Sequence, residues 1–333
     1  MVSTPVTAEV EFDAPGKQTG YLRIPHSTHR SAYGWIGVPV CVIRNGQGPT
    51  LLCLAGVHGD EYEGQLALGK LVRALDPDDI RGRIIIVTAA NAPAAEAGRR
   101  VSPIDGGNLN RLFPGDPRGT PSEVIAHYIE HVLMPMADAM VDLHSGGSSL
   151  VYPATLLRGM GDDPADAKRL ATLQEAMDLP YAWVFTGGGG PNSTARTALG
   201  AANRNGVTGI MAELGGAGAV DREILDMTIR GVRRVLHSLG MFPGYEPDDS
   251  RGTRQLHACG SVYAYDTGVY EPFKEMLDSV QEGEVIGCVH RPDAPWRSPV
   301  DVVSPFPGIV LAKRAMAGVS RGDAVAQIAR DAE

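Results

Sequence analysis

Two short stretches of this chain carry residue types that do chemistry together: Gly56-Val-His-Gly-Asp-Glu-Tyr-Glu-Gly64 and Val141-Asp-Leu-His-Ser-Gly-Gly147. Each follows an apolar run that reads as a buried strand, and each puts a histidine where that strand ends. Glu61 stands three residues after His58. At the start of a helix this spacing turns both side chains toward one spot beyond the sheet edge. His58, Glu61 and His144 then form a two-histidine, one-carboxylate set with an open fourth position, which suits one hydrolytic zinc ion per chain better than a structural one. The competing reading makes His58 a turn residue and His144 a loop cap. A lone His-x-x-Glu arises often by chance; two strand-end histidines in Gly-rich loops, one with a carboxylate partner, weigh toward a shared metal.

Glu213 ends the apolar stretch Gly209-Ile-Met-Ala. A carboxylate there is poorly solvated, so its pKa rises and it can take a proton from water and pass it to a leaving amine. The bland alternative is a helix-capping glutamate. Arg111, in Asn108-Leu-Asn-Arg111, offers a planar fork for a carboxylate, and Asn110 adds a hydrogen bond. Arg99 or Arg100 can polarise a scissile carbonyl, although a surface role competes evenly for both. Asp142 sits two before His144, placed either to orient it or to satisfy a backbone amide. Gly187-Gly-Gly-Gly-Pro reads equally as a lid and as a surface loop. His127-Tyr-Ile-Glu-His131 matches an inverted zinc-protease signature. Its helix runs between two strands and shows the motif on its flank, so a partly exposed helix is the better reading.

The elements that must position these residues follow from the pattern of apolar runs. Strands are expected at Thr50-Leu-Leu-Cys-Leu-Ala, Arg83-Ile-Ile-Ile-Val-Thr, Ala139-Met-Val-Asp-Leu, Ala182-Trp-Val-Phe and Gly209-Ile-Met-Ala. Helices are expected at about 61–75, 121–136, 164–177, 194–203 and 221–239, the second opened by Thr120-Pro121-Ser-Glu123. The alternation predicts an α/β fold, a mixed sheet between helices. Residues 1–46 read as an antiparallel β region packed on a catalytic domain at 47–243, with strands at Glu9-Val-Glu-Phe, Gly20-Tyr-Leu-Arg-Ile and Val38-Pro-Val-Cys-Val-Ile. Residues 244–333 read as a β-rich domain. In it Val280-Gln-Glu-Gly-Glu-Val-Ile-Gly-Cys-Val echoes Val319-Ser-Arg-Gly-Asp-Ala-Val-Ala-Gln-Ile, and each copy follows a turn and strand. Two such halves resemble the barrel-sandwich of biotinyl and lipoyl carriers. The hairpin Lys313-Arg-Ala-Met-Ala-Gly lacks a carrier lysine at its tip, which favours a structural or site-flanking role.

With 333 residues, 43% hydrophobic and 21% charged, the chain has the balance of a globular enzyme. A net charge of −9 without a basic run argues against nucleic acid and anionic membranes. No apolar stretch approaches the roughly 20 residues of a membrane span, and no secretory signal opens the chain. Cys41, Cys53, Cys259 and Cys288 are scattered and read as reduced thiols of a cytoplasmic protein.

Taken in order, Gly-Val-His58-Gly-Asp-Glu61, Asn-Leu-Asn110-Arg111, Asp-Leu-His144 and Ala-Glu213-Leu-Gly resemble the succinylglutamate desuccinylase and aspartoacylase family, relatives of the zinc carboxypeptidases. The resemblance spans most of residues 50–240, and the β-rich tail fits it. It implies His58, Glu61 and His144 as zinc ligands and Glu213 as general base. It implies Asn110 and Arg111 as carboxylate binders, and an upstream arginine, Arg100 in preference to Arg99, at the scissile carbonyl. Aspartoacylases carry Asp where this chain has Asn108. The texture of Tyr21-Leu-Arg-Ile-Pro-His-Ser-Thr-His-Arg-Ser-Ala-Tyr-Gly-Trp and Arg100-Val-Ser-Pro-Ile-Asp-Gly-Gly-Asn-Leu-Asn-Arg is similar to a subgroup, the N-acetyl-L-2,4-diaminobutyrate deacetylases of ectoine degradation. The expectation is a zinc-dependent amidohydrolase acting on a small N-acyl amino acid, with succinylglutamate desuccinylase and aspartoacylase as alternatives. A homo-oligomer is compatible with it. The competing class is a non-catalytic metal-binding or interaction protein, which leaves Glu213 without a duty.

Overall fold

The computed structural model describes residues 3–161, 163–184 and 194–332. The N-terminal strands β1 (Thr7–Ala8), β2 (Gly16–Pro25) and β3 (Trp35–Asn45) form an antiparallel ribbon. Residues 9–12 do not continue as a strand. The Glu9 carboxylate instead accepts from the Tyr21 backbone N–H and pairs with Arg23, which ends the ladder after one further backbone bond.

The centre alternates strand and helix. β4 (Thr50–Ala55) leads to α1 (Tyr62–Ala74), β5 (Gly82–Val87) to α2 (Ala92–Ala97), and α3 (Pro121–Tyr128) to β6 (Ala139–His144). β7 (Leu150–Arg158), α4 (Pro164–Met177), β8 (Tyr181–Val184), α5 (Ala198–Arg204), β9 (Thr208–Gly216) and α6 (Arg222–Ser238) follow. β5, β4, β6 and β9 are parallel neighbours, flanked antiparallel by β3 and β7. The sheet is therefore mixed, with helices on both faces. Alternate residues of β4 divide its burial: Leu51 and Cys53 pack in one apolar cluster with residues of α1, α4 and α6, while Leu52 and Leu54 pack in another with residues of α3 and α5. Burial on both faces is what the near-continuous apolar strands required.

Four differences from the sequence reading have local causes. The helix expected over 121–136 stays α-helical only to Tyr128, then widens through Ile129–Leu133 and tightens at Met134–Met136. Pro135 lacks an N–H and crowds the carbonyl one turn back, so the regular helix cannot run through it. The stretch 194–203 splits into a tight turn at Thr194–Arg196 and α5, whose cap is Thr197 accepting from Gly200 N–H. α2 is too short for a periodic signal. β7 contains Pro153, which hides it in the sequence; the register of β7 against β9 shifts between Tyr152 and Thr155.

The C-terminal strands are β10 (Arg254–Tyr263), β11 (Gly268–Pro272), β12 (Ser279–Val280), β13 (Val285–His290), β14 (Val300–Val303), β15 (Gly308–Arg314), β16 (Gly318–Val319) and β17 (Ala324–Asp331). The faint repeat is a structural one. β11 pairs with its own β13 and with the short β16 of the second half; β15 pairs with its own β17 and with the short β12 of the first. β10 lies on β17 and β14 on β13, so the two halves repeat one order of strands. This unit has its own core around Val262, Ile286, Val302 and Ile328. Two ladders join it to the central sheet, β10 beside β8 and β15 beside β7. Among the described residues no helix is long and apolar enough to cross a membrane.

Candidate active site

His58 and Glu61 lie just beyond β4 and His144 is the last residue of β6, at the carboxyl ends where ligand sites of open α/β sheets lie. Glu213 does not end its strand as expected: β9 runs on to Gly216, and Glu213 lines the site from within it. After β4 the chain turns at Gly56 with φ +64°, and a Cβ there would stand 2.8 Å from Ala89 Cα. Gly59 passes so close to α2 that a Cβ would meet the Ala94 carbonyl carbon at 2.0 Å. Glycine at these two positions lets the loop fold tightly enough to bring His58 and Glu61 back over the sheet.

His58, Glu61 and His144 are 2–3% exposed and converge. His58 Nδ1 lies 2.8 Å from Glu61 Oε1, and His144 Nδ1 lies 2.8 Å from Glu61 Oε2. The far nitrogen of each ring is held from behind. His58 Nε2 donates to Asn108 Oδ1 at 3.1 Å, and His144 Nε2 donates to Asp142 Oδ2 at 2.9 Å. In the neutral form of the rings, those outer bonds turn each Nδ1 lone pair toward the Glu61 carboxylate. Three acceptors facing one another at these distances repel unless a cation or a proton stands among them. The set can hold a metal ion, and its atoms lie within 4.8 Å of one another.

The electrostatics agree. Burial alone would raise the Glu61 pKa, but the two imidazoles and their hydrogen bonds hold it far below the ordinary carboxylate range. Burial opposes a charge on His144, yet Asp142 and Glu61 raise its pKa well above the usual value. Burial, with Arg100 and His144, pulls His58 down against Glu61. The carboxylates thus favour positive charge at His144, while burial disfavours it at His58.

Glu213 borders the same cavity, of about 530 Å³. Its Oε2 is shut off from solvent and has no hydrogen-bond partner among the described residues. Burial first, then the charge of Glu61, push its pKa up to about 8. Arg100 reaches the site from the loop after α2, with Nη1 3.3 Å from Glu61 Oε1, whereas Arg99 is not among the lining residues. Arg111 and Asn110 form another part of the wall. The Asn110 Oδ1 accepts from Ala198 N–H at 2.9 Å, so what this side chain can offer a ligand is its amide N–H₂. Arg111 Nη1 donates to the Asn110 carbonyl at 2.7 Å. Burial and the neighbouring Arg100 and Arg196 lower its pKa, a local excess of positive charge that suits an anion.

All seven residues singled out as ligands, base or substrate binders line this one cavity. The His127–His131 pair does not. His127 is 8% exposed, its ring is 4.6 Å from that of His131, and Glu130 is held by Arg204 through two 2.8 Å bonds. That helix is buried more deeply than its expected partial exposure. The Gly187–Pro191 stretch lies outside the described residues. Two lining residues carried no signal in the sequence. Tyr152 on β7 donates to Gln327 Oε1 on β17 at 2.8 Å, which brings the C-terminal unit to the cavity wall. Tyr152 belongs to no motif and Gln327 only to the tail repeat; strand pairing puts them together.

A mixed sheet with a metal-competent trio at its strand ends and a buried carboxylate beside it is a hydrolase architecture. The chain belongs to the succinylglutamate desuccinylase/aspartoacylase catalytic domain family, whose model matches residues 47–239. It is 39% identical to the N-alpha-acetyl-L-2,4-diaminobutyric acid deacetylase of Halomonas elongata, covering 99% of this chain and 96% of that one. Its structure is similar to the product-bound ectoine utilization protein EutE of Ruegeria pomeroyi, with TM-score 0.93 and 34% identity over 99% of this chain and 100% of that one. It is also similar to a succinylglutamate desuccinylase/aspartoacylase of Rhodobacter sphaeroides, with TM-score 0.91 and 36% identity over the same shares.

Proposed function

We propose that this protein is a zinc-dependent deacylase that hydrolyses the amide of an N-acyl amino acid, N-acetyl-L-2,4-diaminobutyrate foremost. The observation that carries the chemistry is the convergence of three buried acceptors, His58 Nδ1, the Glu61 carboxylate and His144 Nδ1, beside the solvent-shielded Oε2 of Glu213. The substrate choice is supported by likeness over nearly the whole chain to a protein named for that deacetylation.

His58, Glu61 and His144 would hold the ion; two nitrogens and a carboxylate favour zinc over harder cations. Bound there, zinc supplies Lewis acidity, easing ionisation of water and polarising the acyl carbonyl. Glu213, whose proton affinity burial raises, accepts the proton of the attacking water and returns it to the departing amine. Arg100 donates to the oxygen of the acyl carbonyl as negative charge grows on it. Arg111 and the Asn110 amide hold the amino acid's carboxylate. Asp142 keeps the His144 ring oriented.

The same reading takes the central sheet as zinc carboxypeptidase-like and the paired repeats of the tail as a barrel-sandwich-like domain. It divides the chain at 1–46, 47–243 and 244–333. It places the enzyme in the cytoplasm, in keeping with four cysteines that are all free.

The test is metal analysis of the purified enzyme paired with a hydrolysis panel of N-acetyl-diaminobutyrate, N-acetylaspartate, N-succinylglutamate and a C-terminal peptide. Zinc that is lost in His58→Ala, with selective turnover of N-acetyl-diaminobutyrate, supports the proposal. Turnover of another panel member displaces the substrate, and activity that survives complete metal removal overturns the mechanism.

A further inference from the structure

The C-terminal unit holds a second cluster of ligating side chains, far along the chain from the cavity. Glu271 on β11 and Cys288 on β13 are register partners, and His290 follows Cys288 by two residues on the same strand. Alternation along a strand puts Cys288 and His290 on one face. Their ligating atoms already meet. Cys288 Sγ is 3.2 Å from His290 Nε2 and 3.7 Å from Glu271 Oε2, and the last two atoms are 2.7 Å apart. On the other side of Cys288, its register partner on β14 is Asp301. Glu271, Cys288 and Asp301 thus form a row across three strands.

The surroundings are negative. Glu271 and Asp301 flank Cys288 on the two neighbouring strands. Arg291, the next residue along the chain, is turned to Asp266 and Asp293. A site with a thiol, an imidazole and a carboxylate in such a field attracts a cation, and the sulfur selects the zinc class over magnesium or calcium.

We propose that Glu271, Cys288 and His290 form a second metal site, for a divalent ion of the zinc class, on the face of the four-stranded sheet away from its apolar core, with Cys288 buried beneath the two more exposed side chains. A tetrahedral zinc spaces such donor atoms about 3.3–3.6 Å apart, by simple geometry from its bond lengths. The thiol-to-imidazole and thiol-to-carboxylate spacings already bracket that range. Only the imidazole and carboxylate must part, and their side chains are 45% and 57% exposed, free to turn. The two strands fix the backbone. On binding, the Cys288 S–H bond breaks, its proton leaves to solvent and a sulfur–metal bond forms, with no change of oxidation state. The ion cross-links β11 to β13 and keeps its outer position open to water.

Sulfur makes this site distinguishable from the trio in the cavity, which offers nitrogen and oxygen alone. The probe is Co²⁺, loaded into the fully reduced full-length enzyme after removal of bound metal. The proposal expects a near-ultraviolet thiolate-to-cobalt charge-transfer band and about two metal ions per chain. Cys288→Ser and His290→Ala are expected to lose the band and one of the two ions, while Cys259→Ser keeps both. His290 is exposed, so that variant folds even if the Cys288 substitution disturbs the sheet. A band that survives Cys288→Ser, or no band at saturating cobalt, overturns the site and leaves the three side chains as a hydrogen-bonded cluster.

Discussion

His144 and Glu213 are register partners on the adjacent parallel strands β6 and β9. Side chains at partnered positions of parallel strands project to the same face, so the last residue of β6 and the carboxylate of β9 stand side by side. Glu61, on the neighbouring loop, is 2.8 Å from the same histidine. The sheet itself therefore sets the spacing between the proposed metal trio and the proposed base, through the direct pairing of His144 with Glu213.

Because Glu213 is on a strand and bonds none of the trio directly, its removal should leave metal binding intact. Glu213→Gln is expected to keep full metal content and lose roughly 10²–10⁴-fold in kcat, the usual contribution of a positioned acid–base group. Steady-state kinetics on metal-quantified samples check this. Full activity in the variant would remove Glu213 from the mechanism.

His58, Glu61 and His144 are legible from the sequence because they end or closely follow apolar strands, and strand ends converge in an open sheet; Glu213 is legible as a carboxylate behind an apolar run, although β9 continues past it to Gly216. His58 with Glu61, and His144 with Asp142, are local pairs whose spacing carries the geometry. The elements β4, β6 and α4 follow their apolar patterns closely for the same reason. What was hidden depends on distant pairing. β7 is interrupted by Pro153, and the contact of Tyr152 with Gln327 spans 175 residues. The helix that loses its regular winding after Tyr128 reads as one amphipathic run, since periodicity does not register the local cost of Pro135. The echo between the two halves of the tail was visible, but its meaning, the exchange of short strands β12 and β16 between halves, lies in hydrogen bonds that no local pattern encodes.

Asp142 is fully buried and its Oδ2 accepts from His144 Nε2 at 2.9 Å. Asp142→Asn preserves shape but removes the charge that fixes the ring and raises its basicity. Metal affinity is expected to fall roughly 10–100-fold. Competition with a chelator of known affinity measures this, and an unchanged constant would reduce Asp142 to a packing role.

Arg111 can present two parallel N–H groups to a carboxylate, whereas lysine presents one point charge. Arg111→Lys is expected to raise KM for the acyl amino acid roughly 10–100-fold, in line with a lost charge-assisted hydrogen bond, while kcat changes much less. A variant that loses kcat at unchanged KM would move Arg111 from anchoring the substrate to the reacting carbonyl.

Glu63 gives a prediction about stability. It is completely buried on α1, accepts from the Asp221 backbone N–H at 3.1 Å, and has one oxygen, Oε2, with no partner among the described residues. Burial first, then the charges of Asp221 and Glu61, push its pKa from the ordinary 4.5 up to about 7. The folded state then holds this proton more tightly than the unfolded chain. Its contribution is fully present below pH 4.5 and is lost as pH rises through about 7. Glu63→Gln keeps an acceptor for Asp221 and cannot ionise. Between about pH 5 and about pH 8 the wild type should lose on the order of 2 kcal/mol of stability relative to the variant. Urea unfolding of the metal-loaded pair across that range measures the difference. The ligand histidines titrate in both proteins, so they cancel; parallel stability curves would mean that Glu63 is ionised in the folded protein despite its burial.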